Sequence, residues 1–228
     1  VLSREPVSYI CHWNDAKVLK ERLLDSLSLV EGDEVLLFSG MPSIAQAYQR
    51  GQAIASNRIR VFVHQDVSFS RDSNKRFRDS IGNLEAQGKP WGTLGALGVK
   101  YGFSEVKGTE TKIDIYQIGS VASPNLGQDI HSGVSEGPEE VNILDAVLCI
   151  VNGAHIDFDP QIPGWHGAVE DLCMQMAKHG RTVYVSDLDL THWTAKSFEG
   201  REDEIRPSAS YLLSKWGSPL VLANSVWQ

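Results

Sequence analysis

The sequence predicts an α/β fold with parallel strands. Three observations predict it. The first third alternates short apolar, β-branched runs with segments of helical apolar spacing. The strand runs end in polar, chemistry-bearing residues. A second strand–helix–strand block lies between 146 and 193. Such alternation builds a parallel sheet through right-handed crossovers.

Residues 7–12 (VSYICH) read as a short buried strand. Asn14 or Asp15 caps the helix that follows, and Ala16, Leu19, Leu23, Leu27 and Val30 fall near one of its faces. EGDE at 31–34 is a turn and VLLFS at 35–39 a second strand. Pro42 is expected in the first turn of a second helix, where Ile44, Ala47, Tyr48, Gly51 and Ala55 recur and Gly51 allows close packing on the sheet. A third strand runs through IRVFV and ends at Gln65. Residues 68–90 are polar and partly helical, and glycines punctuate WGTLGALGVKYG at 92, 95, 98 and 102. KIDIYQIG at 112–119 alternates as a strand does, 120–140 has loop composition and with His131 is read as a lid, and AVLCIV at 146–151 is a buried strand. Residues 164–180 form a helix with a Val169, Leu172, Cys173 and Met176 stripe, ended by Gly180. Glu170 lies on the flank of that stripe and Asp171 almost opposite, and RTVYVSDLDLTHW returns as strand.

Composition narrows the function. The chain has 228 residues, 42% hydrophobic and 22% charged, which suits one globular domain with a full core. A net charge of −8 argues against nucleic acid as a partner. Cys11, Cys149 and Cys173 sit singly in apolar runs, as buried thiols of a reducing compartment do, so a cytoplasmic location without a transmembrane segment is expected. Neither a P-loop nor a G-x-G-x-x-G is present, which sets aside Walker-type and dinucleotide-binding readings.

Ligands of open α/β sheets bind beyond the carboxyl ends of the strands. His12 and Asn14 should collect there after the first strand, Ser39 and Gly40 after the second, His64, Gln65 and Asp66 after the third, and His192 after a late one. The i, i+2 spacing of His64 and Asp66 lets two extended residues point to one side. Imidazole with carboxylate suits Mn²⁺ or another first-row divalent ion better than Ca²⁺.

Three blocks, in order, resemble family 2-like glycosyltransferases, in the branch that carries an H-Q-D-V motif. They are VSYICHWNDAKVLKERLLDSL, AQAYQRGQAIASNRIRVFVHQDV and PGWHGAVEDLCMQMAKHGRTVYVSDLDLTHW. The resemblance implies the GT-A fold: a Rossmann-like, largely parallel twisted sheet with helices on both faces, plus a small mixed sheet. It implies one domain over 1–228, with a nucleotide-binding half at 1–67 and an acceptor half with the late metal-site strand at 68–228.

It also implies roles. Asp66, His64 and His192 would hold Mn²⁺ or Mg²⁺. His12, Asn14, Ser39, Gln65 and Asp66 would contact a nucleotide sugar, uridine-based. Trp91, Trp165 and His166 would face donor sugar or an unknown acceptor. Glu170 or Asp171 would be the base. Aligned on DLC, Asp171 matches the second acid of the family motif and Val169 falls where the catalytic aspartate is expected. Aligned on ED, Asp171 is that aspartate. The second strand ends in FSGM rather than in aspartates, and the asparagine expected near Gln49 is absent. These departures keep a second reading open, a relative that binds the nucleotide and catalyses little. A metal-dependent hydrolase or nucleotidyltransferase is the third.

Overall fold

The computed structural model describes residues 5–105, 111–132, 137–153, 156–194 and 202–217. A seven-stranded main sheet has the order β2-β1-β3-β11-β5-β12-β9. Its strands are β1 (Val7–His12), β2 (Glu34–Phe38), β3 (Ile59–Val63), β5 (Trp91–Gly95), β9 (Glu139–Val141), β11 (Leu148–Asn152) and β12 (Thr182–Val185). β1 pairs in parallel with β2 and β3, and β5 with β12, whereas β11 is antiparallel to both β3 and β5, and β9 to β12. Five of the seven strands therefore share one direction, as a largely parallel sheet requires.

A second, mixed sheet contains β4 (Val67–Phe69), β6 (Leu97–Glu105), β7 (Thr111–Ser123), β8 (Gln128–Ser132), β10 (Ile143–Leu144) and β13 (Leu190–His192). It runs β10-β6-β7-β13-β4, with β8 also on β7. The chain bends from β5 into β6 at Ala96, whose carbonyl accepts from Ser120 N–H at 2.9 Å. Gly119 faces that bend at φ 141°, where a Cβ would meet the Ala96 oxygen and Leu97 Cα, so only glycine lets the two backbones approach.

Side-chain parity divides the core. Val7, Tyr9 and Cys11 point to one face and pack with Leu19 and Leu23 of the α1 region (Ala16–Arg22) and Phe77, Ile81 and Leu84 of α3 (Ser73–Ala86). Ile10, Phe62 and Cys149 point to the other. They meet Tyr48 of α2 (Ile44–Ile54), Leu172, Cys173 and Met176 of α4 (Ala168–Lys178) and Leu212 of α5 (Glu202–Trp216). Helices thus cover both faces. Because β2 and β3 flank β1 on opposite sides, the switch in strand order falls between β1 and β3, where such sheets open a crevice. A buried ion pair fixes this half: Arg78 donates to both Asp33 oxygens, at 3.1 and 3.2 Å, and Asp33 also accepts from Val7 and Val30 N–H.

Several local expectations are corrected. The first helix stops at Arg22, and a 3₁₀ turn at Leu24–Ser26 follows. Ser26 Oγ–H donates to the Leu23 carbonyl at 2.8 Å and so ends the helical ladder, which leaves Leu29 and Val30 exposed rather than on a helix face. The cap is Asp15, one of the two residues expected, accepting from Lys17 and Val18 N–H. Pro42 stands outside its helix; Ser43 caps it, accepting from Gln46 N–H at 3.2 Å. The third strand ends at Val63, two residues earlier than expected. Most of 120–132 is strand, the end of β7 and β8, not a long loop; the His131 side chain and 133–136 lie outside what is described. The late run from Thr182 splits into β12 and β13, in different sheets, around Asp189 at φ 52°. All three cysteines are free and buried, and no helix among the described residues is long and apolar enough to cross a membrane.

Candidate functional site

The HQD stretch is a turn that brings potential metal-ligating side chains together. His64 N–H donates to the Val147 carbonyl at 3.3 Å, and Val67 N–H returns to the His64 carbonyl at 3.3 Å. That turn passes the chain from the main sheet at β3 to the second sheet at β4. β13 lies antiparallel on β4 with His192 opposite Val67, which brings the late histidine beside the turn.

His64, Asp66 and His192 each offer a ligand atom, and these atoms all lie within 4.8 Å of one another. His192 Nε2 is 3.4 Å from Asp66 Oδ1, and the two imidazole centroids are 5.7 Å apart. Burial works to raise the Asp66 carboxyl, but the His192 hydrogen bond and the charges of His64 and His192 outweigh it and hold it below the usual carboxylate value. Burial pushes the His64 imidazole below its ordinary value, with His192 adding to this and Asp66 and Asp145 opposing. An ionised carboxylate between imidazoles, one of them favoured neutral, is a donor set that fits a first-row divalent cation.

The end of the first strand is tied to this turn. Gln65 Oε1 accepts from the N–H groups of Asn14 and Asp15 at 3.0 Å each, and its amide donates to Asn14 Oδ1 at 2.6 Å. Gln65 and Asn14 therefore tie the HQD turn to the start of α1. His12, the last residue of β1, stacks on Trp165, with ring centroids 4.6 Å apart and planes tilted by 36°. Burial first, and then the nearby His64, lower the His12 imidazole, whose Nε2 is buried without a hydrogen-bond partner among the described residues. Trp165 is 45% exposed, so it offers a broad aromatic face at the rim.

The segment 164–167 is held in place by main-chain contacts. Ile44 N–H donates to the Gly164 carbonyl at 3.0 Å, which ties the loop to α2. Gly167 begins α4 at φ 86°, with Leu212 of α5 so near that a Cβ would lie 2.8 Å from its Cδ1. Both first-turn acids are buried, contrary to their off-stripe positions: Glu170 is 2% exposed and Asp171 0%. Asp171 is saturated. It accepts from Trp216 Nε1 at 2.8 Å and Gln175 Nε2 at 2.7 Å, and pairs with Lys215 Nζ at 2.8 Å. Asp159 completes the network, taking Lys215 Nζ at 2.6 Å and the Tyr211 hydroxyl at 2.8 Å. Glu170 lies on the Cys149 and Cys173 side of the helix, where its charge helps raise both thiols, after burial, above the ordinary value.

The structure gathers His12, Asn14, Gln65, His64, Asp66, His192 and Trp165 at the carboxyl edge of the sheet, with Glu170 in the first turn of α4, which follows His166. Ser39 stands at the same edge, exposed, past the outermost strand β2. Trp91 is corrected. It begins β5 and is 1% exposed in the core, so it sits at the amino edge, away from the site. Sequence reasoning passed over α5. Its signal was present, since Ile205, Ser208, Ala209 and Leu212 are buried at helical spacing.

Comparison with known proteins bears on the family and the fold. The profile of the glycosyltransferase-like family matches residues 8–207. The chain belongs to this family. No curated protein sequence matches it. Among solved structures, a mannosyltransferase, PcManGT from Pyrobaculum calidifontis in complex with GDP-Man and Mn²⁺, superposes with a TM-score of 0.53 at 12% identity, over 96% of this chain and 67% of that one. The crystal structure of A197 from STIV gives a TM-score of 0.45 at 12% identity, over 83% of this chain and 86% of that one. The family member described here has the GT-A fold, with a Rossmann-like main sheet and a mixed second sheet.

Proposed function

We propose that this glycosyltransferase-family protein is a metal-dependent transferase that takes its sugar from a nucleoside-diphosphate sugar, uridine-based, and passes it to an acceptor hydroxyl. The observation that carries the reading is the cluster of His64, Asp66 and His192 at the switch point of the sheet. These three residues would hold the cation, Mn²⁺ or Mg²⁺. When bound, such an ion neutralises the diphosphate and acts as a Lewis acid on the departing oxygen. The remaining work falls to the chain. Asn14 and Gln65 hold the crevice wall at the nucleotide half, 1–67, with His12 and Ser39 beside it. The indole of Trp165, with His166 next to it, offers an apolar face to a sugar ring in the acceptor half. Glu170 takes the acceptor proton, because Asp171 already has three donors on its carboxylate.

The GDP-Man in the similar mannosyltransferase makes a guanosine donor the natural control. Titrating the protein with UDP and with GDP, each with and without Mn²⁺, by calorimetry tests the reading. Tight binding that needs both UDP and Mn²⁺ is expected, and equal affinity in EDTA would overturn it.

A specific observation favours a second reading, a binder with little turnover. Asp171, the acid that both alignments place in the motif, is locked into a helix-docking network, and Val169 stands where the DLC alignment expects the catalytic aspartate. Donor hydrolysis or transfer measured at saturating Mn²⁺ separates the two.

A further inference from the structure

The two halves of the candidate metal centre come from different parts of the chain, and little sheet joins them. β4 and β13 have three residues each. A ladder that short is marginal by itself, yet three ligands must keep a fixed separation to share one cation. Trp193, the residue after His192, supplies the missing constraint. Its main-chain N–H donates to the Asp66 carbonyl at 2.8 Å, and its indole Nε1–H to Ser68 Oγ at 2.9 Å. Ser68 in turn donates to the Arg22 carbonyl at 2.9 Å, and the Arg22 guanidinium lies 3.9 Å from the indole centroid. The Trp193 carbonyl accepts from Asn125 Nδ2 at 2.9 Å. One residue, through its main chain and its indole, thus links the late strand, the HQD turn and the end of α1.

We propose that Trp193 is a positioning residue for the metal: its indole and main-chain N–H groups fix the separation between the His64–Asp66 turn and His192. The inference rests on the metal reading above. Partners of this kind, which do not touch the ion, commonly change metal affinity by an order of magnitude or more.

The test is Mn²⁺ binding followed by the loss of the free-ion electron paramagnetic resonance signal, in wild type, Trp193→Phe, Ser68→Ala and the double variant. Trp193→Phe keeps an aromatic ring beside Arg22 but removes the Nε1–H donor together with part of the indole surface. Ser68→Ala removes the acceptor of the same bond, so it carries the test if the tryptophan variant fails to fold. Each single variant should weaken Mn²⁺ about tenfold, and the double variant less than the product of the two, because both break the Trp193–Ser68 bond while Ser68→Ala also removes the bond to the Arg22 carbonyl. A lowered melting temperature with wild-type Mn²⁺ affinity in the folded protein would show an ordinary packing residue and overturn the proposal. So would independent, additive losses. The wild-type arm reports on the metal reading separately: if wild type leaves the free Mn²⁺ signal unchanged, that reading falls first.

Discussion

Trp216 donates its indole N–H to Asp171 Oδ1 at 2.8 Å, and the carboxylate that accepts it is completely buried. The contact joins the end of α5 to the first turn of α4, directly after the Trp165–His166 rim. Lys215 sits between Asp171 and Asp159 and pairs with both. The helix that closes this side of the molecule is therefore docked through a polar latch as well as through Ile205, Ala209 and Leu212.

Replacing Asp171 separates a docking role from a catalytic one. Asp171→Ala leaves the Lys215 ammonium and the Trp216 N–H without their acceptor, and removing one partner of a buried pair costs about 3 kcal/mol. Urea unfolding should show a loss of that size, and limited proteolysis should cut α5 sooner. A variant with wild-type stability and no turnover would instead return Asp171 to the chemistry.

The latch should ignore pH over a wide range. For Asp159, burial is outweighed by the hydrogen bonds of Lys215, Gln161 N–H and Tyr211, so its carboxyl lies below the ordinary 3.8. Its contribution is complete above that value and is lost as pH falls through the lower, folded value. Lys215 lies above its ordinary 10.5, because its two carboxylate partners outweigh burial. Its contribution is complete below 10.5 and is lost as pH rises through the higher, folded value. Proteolysis of α5 should therefore be flat between pH 5 and pH 9 (roughly the span inside both limits) and accelerate below pH 3.8. A sharp change near neutrality would point to a different contact.

What could be read from the sequence was what short-range pattern encodes. Gly51 packs where a Cβ would strike Ile10, and Val169, Leu172, Cys173 and Met176 form the buried stripe of α4, because helical spacing alone defines both. The carboxyl-edge gathering of His12, His64 and Asp66 followed from strand polarity. Burial of Asp171 was not legible, since its cover is supplied by Trp216, 45 positions later. Trp91, expected to face donor sugar or acceptor, stands at the start of β5 rather than the end, which puts it in the core at the opposite edge. α1 gives way to a 3₁₀ turn where Ser26 N–H and Oγ–H both go to the Leu23 carbonyl and the Arg22 carbonyl accepts from Ser68, a partner 46 positions away that the apolar pattern running on to Val30 does not announce.

Glu170→Gln should keep nucleotide and Mn²⁺ affinity and lose turnover by about 10²–10⁴-fold, the usual contribution of a positioned base. The amide preserves shape in a site that is 2% exposed, so packing is little changed. Equal turnover in wild type and variant would remove Glu170 from the reaction and favour the binder reading.

Trp165→Ala should weaken sugar or acceptor binding while leaving stability nearly unchanged. At 45% exposure the indole rim contributes little to the core, and it stacks on the His12 imidazole. The expected signature is a raised KM with a smaller change in kcat, because a platform that holds ground state and transition state alike gives uniform binding. A lowered kcat at constant KM would place the indole at the reacting atoms instead.

Asp66→Ala tests the centre of the site. Asp66 is the one carboxylate of the candidate cluster and would supply the hard oxygen, with His64 and His192 offering nitrogen. Its side chain is 25% exposed, and the part of Asp66 that holds the turn is its main-chain carbonyl, which accepts from Trp193 N–H. Alanine keeps that carbonyl. The melting temperature should therefore move by only a few degrees, the range of a substitution costing about 1 kcal/mol, while Mn²⁺-dependent nucleotide binding disappears. His192→Ala should weaken the same binding less, as the loss of one neutral ligand among several. Calorimetry of both variants with UDP and Mn²⁺, run beside thermal unfolding, gives the ordering. Equal losses would mean that the carboxylate holds no special place, and undiminished binding in Asp66→Ala would move the cation away from the HQD turn.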